Sequence, residues 1–145
     1  MSNRMIHLAL LNLRPGAAWS FDDSKTDLTG LTWLDEVQAA PTQEQIDAEI
    51  SKLAIKDAIK INTDAVQAVM DAKARQLGYD NLLSACSYAA QPAGAPFQAE
   101  AAALVAWRSA VWAQAYSMLA EVEAQTRLMP TPEEAVAAMP ALVLP

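Results

Sequence analysis

The feature that most constrains the fold is a nearly uncharged, alanine-rich stretch over residues 101–120. Arg108 carries its only charge, and Trp107, Trp112 and Tyr116 supply its aromatic rings. The stretch is long enough for a membrane span. However, an arginine near the middle of a bilayer costs roughly 2.5–3.5 kcal/mol, and alanine contributes too little to offset that cost. We therefore expect a helix of a globular domain and no membrane partner.

At about 100° per residue, this helix carries two neighbouring apolar stripes. The first stripe comprises Leu104, Trp107, Val111, Ala115, Met118 and Val122. The second comprises Val105, Trp112, Tyr116 and Leu119. The rest of the circumference holds small residues that let another backbone come close, namely Ala102, Ala106, Ser109, Ala110, Ala113 and Ser117. We therefore expect neighbours on most sides, either in a central core helix or in a helix with one face that only a partner chain completes.

Arg108 lies between the two apolar stripes. A buried guanidinium needs a partner, because an uncompensated buried charge is strongly destabilising. The structural interpretation is a pair with a carboxylate from another helix, or a side chain that reaches the surface. The functional alternative is that Arg108 grips a partner protein.

The first 40 residues predict a short helix followed by a β-hairpin. Residues 3–13 have apolar side chains at helical spacing, and Pro15 then ends the helix. Two strand candidates follow at 17–23 and 28–37, where apolar and polar side chains alternate around a polar turn. This region is expected to form an N-terminal unit.

Trp19 and Trp33 are the large side chains of the two strand candidates. A lone hairpin is marginally stable in water, so this one has to pack on something or pair with another chain. The simpler interpretation is that both tryptophans anchor the hairpin to the helices, as buried aromatic residues usually do. The alternative is that they contact a partner.

Residues 42–77 predict helix. Thr42 and Gln45 match the capping-box pattern, and Gly78 is the residue type that commonly follows a last helical turn. The Asn-Thr-Asp triplet at 62–64 could break the helix or cap a new one. One long helix and two shorter helices are therefore both open.

Three more helices are predicted beyond the long one. Asp80 can cap the first, the alanine-rich stretch forms the second, and Thr131 begins the last, with Pro132 at its first position. The expected fold is mainly α, of the α+β type: a helical bundle of about four to five helices with a small N-terminal β-hairpin. The expected domains are an N-terminal helix plus hairpin over 1–40 and a helical domain over 41–145.

Charge and reactive side chains favour an interaction protein over an enzyme. The net charge is −7 and the basic residues are scattered, whereas binding to a phosphate backbone needs clustered Lys and Arg. His7 is the only histidine and Cys86 the only cysteine, and neither has a recognisable activating partner. Two such residues far apart do not form a metal-ligand cluster. We expect no enzymatic activity, no cofactor, no metal and no nucleic-acid partner.

Most of the chain resembles small tail proteins of tailed bacteriophages that are encoded beside tail fibre genes. The segments LRPGAAW (13–19) and LTWLDEVQAAPTQEQIDAEI (31–50) are similar to their N-terminal pattern. Their C-terminal half, which is also similar to segments of tail fibre assembly proteins, is matched by GYDNLLSACSYA (78–89), PFQAEAAALVAWRSAVWA (96–113) and PTPEEAVAAMPAL (130–142).

The resemblance implies a tail fibre assembly chaperone, which binds the tail fibre protein in the host cell cytoplasm and assists its folding and trimerisation. The alternative is a structural tail or baseplate accessory protein that is retained in the virion tail. Self-association into a homo-oligomer would also cover the apolar faces. From the residues themselves, we expect the partner-binding surface to comprise Trp19, Trp33, Trp107, Arg108, Trp112 and Tyr116.

Overall fold

Helices dominate the structure, as the sequence pattern predicts. The computed structural model describes residues 3–145. Over these residues the elements are α1 (Asn3–Leu13), β1 (Trp19–Phe21), β2 (Leu31–Trp33), α2 (Gln43–Gln76), α3 (Leu82–Ser87), α4 (Gln98–Glu123) and α5 (Pro132–Ala137). Short 3-10 turns occupy Leu28–Gly30 and Tyr88–Ala90. A mainly α fold with a small N-terminal antiparallel hairpin is therefore confirmed.

The chain divides into two compact units, Met1–Asp57 (unit 1) and Ala58–Pro145 (unit 2). The division falls inside α2. Ile46 of this helix belongs to the core of unit 1, and Val66 belongs to the core of unit 2. The boundary at 40/41 that the sequence predicts lies in the segment before α2.

Unit 1 is built around the apolar face of α1. Ile6, Ala9 and Leu10 are fully buried there with Ile46 of α2. The hairpin side chains pack against this cluster and remain partly exposed themselves. The predicted helix over 3–13 is confirmed, and its apolar spacing is what places these residues on one side.

The two strands are shorter than the predicted 17–23 and 28–37, since each contributes three residues to the ladder. Just before β2, the backbone forms a local hydrogen bond to a side chain. There the Asp27 carboxylate accepts from the backbone N–H of Thr29 at 3.0 Å and caps the 3-10 turn. Such side-chain bonds offer the backbone an alternative to ladder pairing.

Residues 43–76 form one continuous helix, so the alternative of two helices is wrong. The capping box is present at its start. The backbone N–H of Gln45 donates to Thr42 Oγ1 at 3.2 Å, and the backbone N–H of Thr42 donates to Gln45 Oε1 at 3.1 Å. Asn62 stays helical, and its side-chain amide donates instead to the Pro130 carbonyl at 2.9 Å. Because the Asn62 amide makes this long-range bond, it does not cap a helix locally.

The end of α2 confirms the assignment of Gly78. The φ of Gly78 is +94°, a left-handed conformation that glycine adopts without a steric penalty. The N–H of Gly78 bonds to the Arg75 carbonyl at 3.0 Å, and that of Tyr79 to the Ala74 carbonyl at 3.1 Å. These two bonds form a Schellman motif and satisfy carbonyls that the helix leaves free.

Unit 2 has a core drawn from three helices. Its buried residues are Val66, Met70, Ala74, Leu82, Ala85, Leu104, Trp107 and Val111. The predicted cap of α3 at Asp80 is wrong, because Asn81 accepts from the backbone N–H of Ser84 at 2.8 Å. The predicted start of α5 at Thr131 is confirmed, and Thr131 forms a capping box there with Glu134.

Tyr79 connects the end of α2 to the first turn of α4. Its hydroxyl donates to Glu100 Oε1 at 2.7 Å. Burial, followed by this hydrogen bond, raises the pKa of Tyr79 to about 12. Glu100 also lies in the first turn of α4, where a negative charge is favourable.

Stability is expected to fall as the pH rises from about 10 to about 12. Tyr79 ionises near pH 10 in the unfolded chain but at about 12 in the folded chain, so the folded state binds more protons in this window. Urea unfolding across this range would measure the fall. Glu100→Gln should make the fall shallower, although only in part, since burial is the larger cause. A fall equally steep in Glu100→Gln would contradict the role of the carboxylate.

The end of α4 uses the same Schellman motif without a glycine. Gln125 has φ +59°. Its N–H bonds to the Val122 carbonyl at 3.0 Å, and the N–H of Thr126 bonds to the Glu121 carbonyl at 2.9 Å. A left-handed conformation costs an ordinary residue about 1 kcal/mol or more.

Gln125→Gly is expected to raise the free energy of unfolding by about 0.5–1 kcal/mol, because glycine removes the left-handed penalty. The same substitution at Gln76, which is helical and exposed, should lower it by about 0.5–1 kcal/mol. Urea unfolding of both variants checks the pair. The interpretation fails if the two substitutions change stability in the same direction.

Candidate functional site

Helix α4 buries only one of its two predicted stripes within this chain. Leu104, Trp107, Val111 and Met118 are buried, which confirms the first stripe. In the second stripe Val105 and Tyr116 are exposed, Tyr116 by 69%. The arc of small residues is also exposed, comprising Ala102, Ala106, Ser109, Ala110, Ala113 and Ser117. Within residues 3–145, α4 is therefore not a central core helix, since so small a unit does not surround a helix of this length. The alternative, a face that a partner chain completes, stays a prediction.

An open groove of about 540 Å³ lies beside the second stripe, entirely within unit 2. Its walls come from α4, from the part of α2 in unit 2, from the segment before α5 and from α5 itself. Aromatic and aliphatic side chains dominate the lining, which includes Ile59, Val66, Trp112, Tyr116, Leu119, Val122, Met129, Pro130 and Met139. We call this the α4 groove.

Polar groups are few in the α4 groove, and two of them are already engaged. The Asn62 amide donates to the Pro130 carbonyl and approaches the sulfur of Met129 at 3.8 Å. This bond ties the segment before α5 to α2 and so fixes one wall. The Ser109 hydroxyl donates to the Val105 carbonyl at 3.0 Å. The remaining polar side chains of the lining include Thr63, Gln114 and Arg108.

Arg108 is the one charged side chain among the described residues that line the groove. It is exposed. Over residues 3–145, no salt bridge or hydrogen bond engages its guanidinium. The predicted carboxylate pair within the chain is therefore not formed, and the side chain reaches the surface instead. This places an unpaired positive charge at the rim of an apolar groove.

The structure brings Arg108, Trp112 and Tyr116 together along one edge of the groove. Their spacing of four residues places them on the same side of α4. The sequence missed the opposite wall, which includes Ile59, Met129 and Met139. No helical pattern in α4 signals those residues, because tertiary packing alone brings them there.

Trp107 lies apart from Arg108, Trp112 and Tyr116, the other residues of α4 that the sequence predicts to bind a partner. It is only 8% exposed, and its indole N–H donates to the Pro140 carbonyl at 2.7 Å. It does not line the α4 groove. The side chain therefore belongs to the core and holds the C-terminal segment, which removes it from the accessible surface.

Trp19 and Trp33 lie in unit 1, directly opposite each other across the hairpin. Both are half-buried against the core cluster of that unit. The indole N–H of Trp33 donates to the Gln38 carbonyl at 2.8 Å, and the Trp19 ring centroid lies 5.2 Å from that of His7. This geometry fits the anchoring interpretation, and partner contact by these two residues stays a prediction.

The reactive side chains do not form a catalytic arrangement among the described residues. His7 Nε2 lies 3.4 Å from Asp23 Oδ1. Burial raises the pKa of the Cys86 thiol, and the nearby positive charge of Arg108 opposes this only in part. A thiol with a raised pKa is a poor nucleophile at neutral pH. Within residues 3–145, no group of three or more His, Cys, Asp or Glu side chains could hold a metal ion, and no helix is long and apolar enough to cross a membrane.

Comparisons of the chain with protein-family models, with curated proteins and with solved structures found no match. Within unit 2, the α4 groove combines accessible apolar surface with the unpaired charge of Arg108.

Trp107→Phe is expected to lower the free energy of unfolding by about 1–2 kcal/mol, because it removes the donor to Pro140 and part of a buried ring. Trp112→Phe should lower it by less, since Trp112 is only partly buried against the core and its indole N–H has no acceptor among the described residues. Urea unfolding distinguishes the two. Equal losses would contradict the division between a core and a groove tryptophan.

Proposed function

We propose that this protein is a tail fibre assembly chaperone of a tailed bacteriophage, acting in the host cell cytoplasm. The observation that carries the proposal is the α4 groove, an open apolar surface that the described part of the chain leaves uncovered. The sequence resemblance supplies the class of partner. The groove supplies a surface on which a segment of that partner could be held.

The physical task of such a chaperone fits the chemistry of the groove. A fibre trimer exposes apolar side chains and unpaired strand edges before it closes, and such surfaces aggregate. Met129 and Met139 give one wall an adaptable, polarisable surface. Trp112 and Tyr116 on the other wall are of the residue types that dominate binding energy at interfaces.

The size of the groove indicates what it could hold. Its volume of about 540 Å³ lies within the roughly 300–1,000 Å³ typical of sites that enclose a small ligand. A volume of this kind accommodates a few side chains of one segment and not a whole domain. The proposed chaperone therefore holds a short segment of the fibre chain before its trimer closes.

Co-expression with the tail fibre gene, followed by size exclusion with light scattering, tests the proposal. The fibre is expected to be soluble and trimeric only when this protein is present, and an assembly intermediate should contain both chains. The proposal fails if the fibre assembles equally well alone and the two chains never co-elute.

The groove itself is tested by Trp112→Ala combined with Tyr116→Ala. This variant should weaken fibre binding by roughly tenfold or more, because aromatic anchors carry much of the energy of an interface. Leu83→Ala is the matched control, since Leu83 is 74% exposed in unit 2 and does not line the groove. Equal binding by both variants, with unchanged thermal unfolding, would place the contact elsewhere.

A separate experiment distinguishes the chaperone from the structural alternative. A chaperone should be absent from purified particles or present below the stoichiometry of the fibre, whereas a tail or baseplate accessory protein should be present in a fixed ratio. Mass spectrometry of purified particles measures that ratio.

A further inference from the structure

The charge at the rim of the α4 groove restricts what can occupy it. Arg108 is the one charged side chain of the described lining and has no carboxylate partner within residues 3–145. The chain as a whole carries a net charge of −7. The guanidinium of Arg108 is therefore free to pair with an acidic group that enters the groove.

A guanidinium in this position favours a ligand that carries a carboxylate. Its planar fork of donors matches a carboxylate and can form two parallel hydrogen bonds with it. The apolar walls exclude water once a ligand is seated, which strengthens the attraction relative to an exposed pair. A second positive charge at the same place would instead be repelled.

We propose that the α4 groove binds a segment that combines apolar side chains with one Asp or Glu, whose carboxylate pairs with Arg108. The identity of the carrier, a segment of the tail fibre, rests on the proposed function. The apolar side chains would fill the space between Trp112, Tyr116 and the opposite methionine wall. The carboxylate would fix the register of the segment along α4.

The negative net charge of the chain does not prevent an acidic segment from binding at Arg108. Charges separated by more than about 10 Å are largely screened at ordinary salt, and no acidic side chain is among the described residues that line the groove. An acidic segment would find its favourable contact at this rim and repulsion over much of the remaining surface. Arg108 thus acts as the element of specificity in a groove that is otherwise apolar.

Charge reversal in the full-length protein tests the pairing against the co-expressed fibre. Arg108→Glu should weaken the complex by roughly tenfold or more, whereas Arg108→Lys should weaken it by only a few-fold, since the charge remains but the fork is lost. Lys56→Glu is the matched control, because Lys56 is exposed on α2, lies outside the groove and gives the same change in net charge. Thermal unfolding should be unchanged in all three variants.

A compensating substitution identifies the partner group. Asp and Glu residues of the fibre are replaced by Lys one at a time, and one such replacement is expected to restore binding to Arg108→Glu. Binding by the unmodified pair should also weaken as salt is raised. If the fibre binds Arg108→Glu as tightly as the unaltered protein, the pairing is overturned and the proposed function still stands.

If the fibre does not bind at all, a peptide-display library panned on the unaltered protein tests which segments the groove binds. The proposed function then fails, but the chemistry of the groove is still tested. Enriched peptides are expected to carry Asp or Glu among apolar residues and to lose binding to Arg108→Glu. Enrichment of peptides without an acidic residue, or of peptides that bind both proteins equally, would overturn the inference.

Discussion

The packing of a single stripe of α4 onto α2 and α3 is the constraint on which the rest of unit 2 depends. Leu104, Trp107 and Val111 share one buried cluster with Val66 and Met70. Because side chains on a helix follow one another at about 100°, burying this stripe fixes the rotation of α4 about its own axis. The edge formed by Arg108, Trp112 and Tyr116 is then turned toward the groove. The open groove is thus a direct consequence of the packing that stabilises the unit.

The parts of the fold that the sequence predicts well are those that local hydrogen bonds decide. The capping boxes at Thr42 and Thr131, and the glycine at Gly78, close bonds within a few residues and could be recognised from residue types alone. The triplet at 62–64 left one helix or two open, because the outcome depends on a partner 68 residues away, the Pro130 carbonyl. A short-range pattern contains no information about such a bond.

The candidate site shows the same division between local and tertiary information. Trp107 and Trp112 both fall in apolar stripes of α4, and the sequence gives them equivalent roles. What separates them is the Pro140 carbonyl, which lies 33 residues beyond Trp107 and accepts its indole N–H. Residue type therefore predicts that a tryptophan contributes to packing or binding, while the position of a distant acceptor decides which. Arg108 is a similar case, since its lack of a carboxylate partner is a property of the folded arrangement.

Helix α2 links two cores that are separate clusters of buried residues. Between Ile46 and Val66 it has no fully buried residue, and Ile55 and Ile61 are about half exposed. Ile50 and Leu53 pack against the core of unit 1, and the Asn62 amide bonds to the Pro130 carbonyl. Between Leu53 and Ile59 the helix relies on its backbone bonds and on surface pairs, and such pairs contribute only a few tenths of a kcal/mol each. Tertiary packing normally supplies most of the stability of a helix. The stretch between Leu53 and Ile59 is thus the most exposed part of the middle of α2, and its local opening removes fewer buried contacts than opening of the helix at either core.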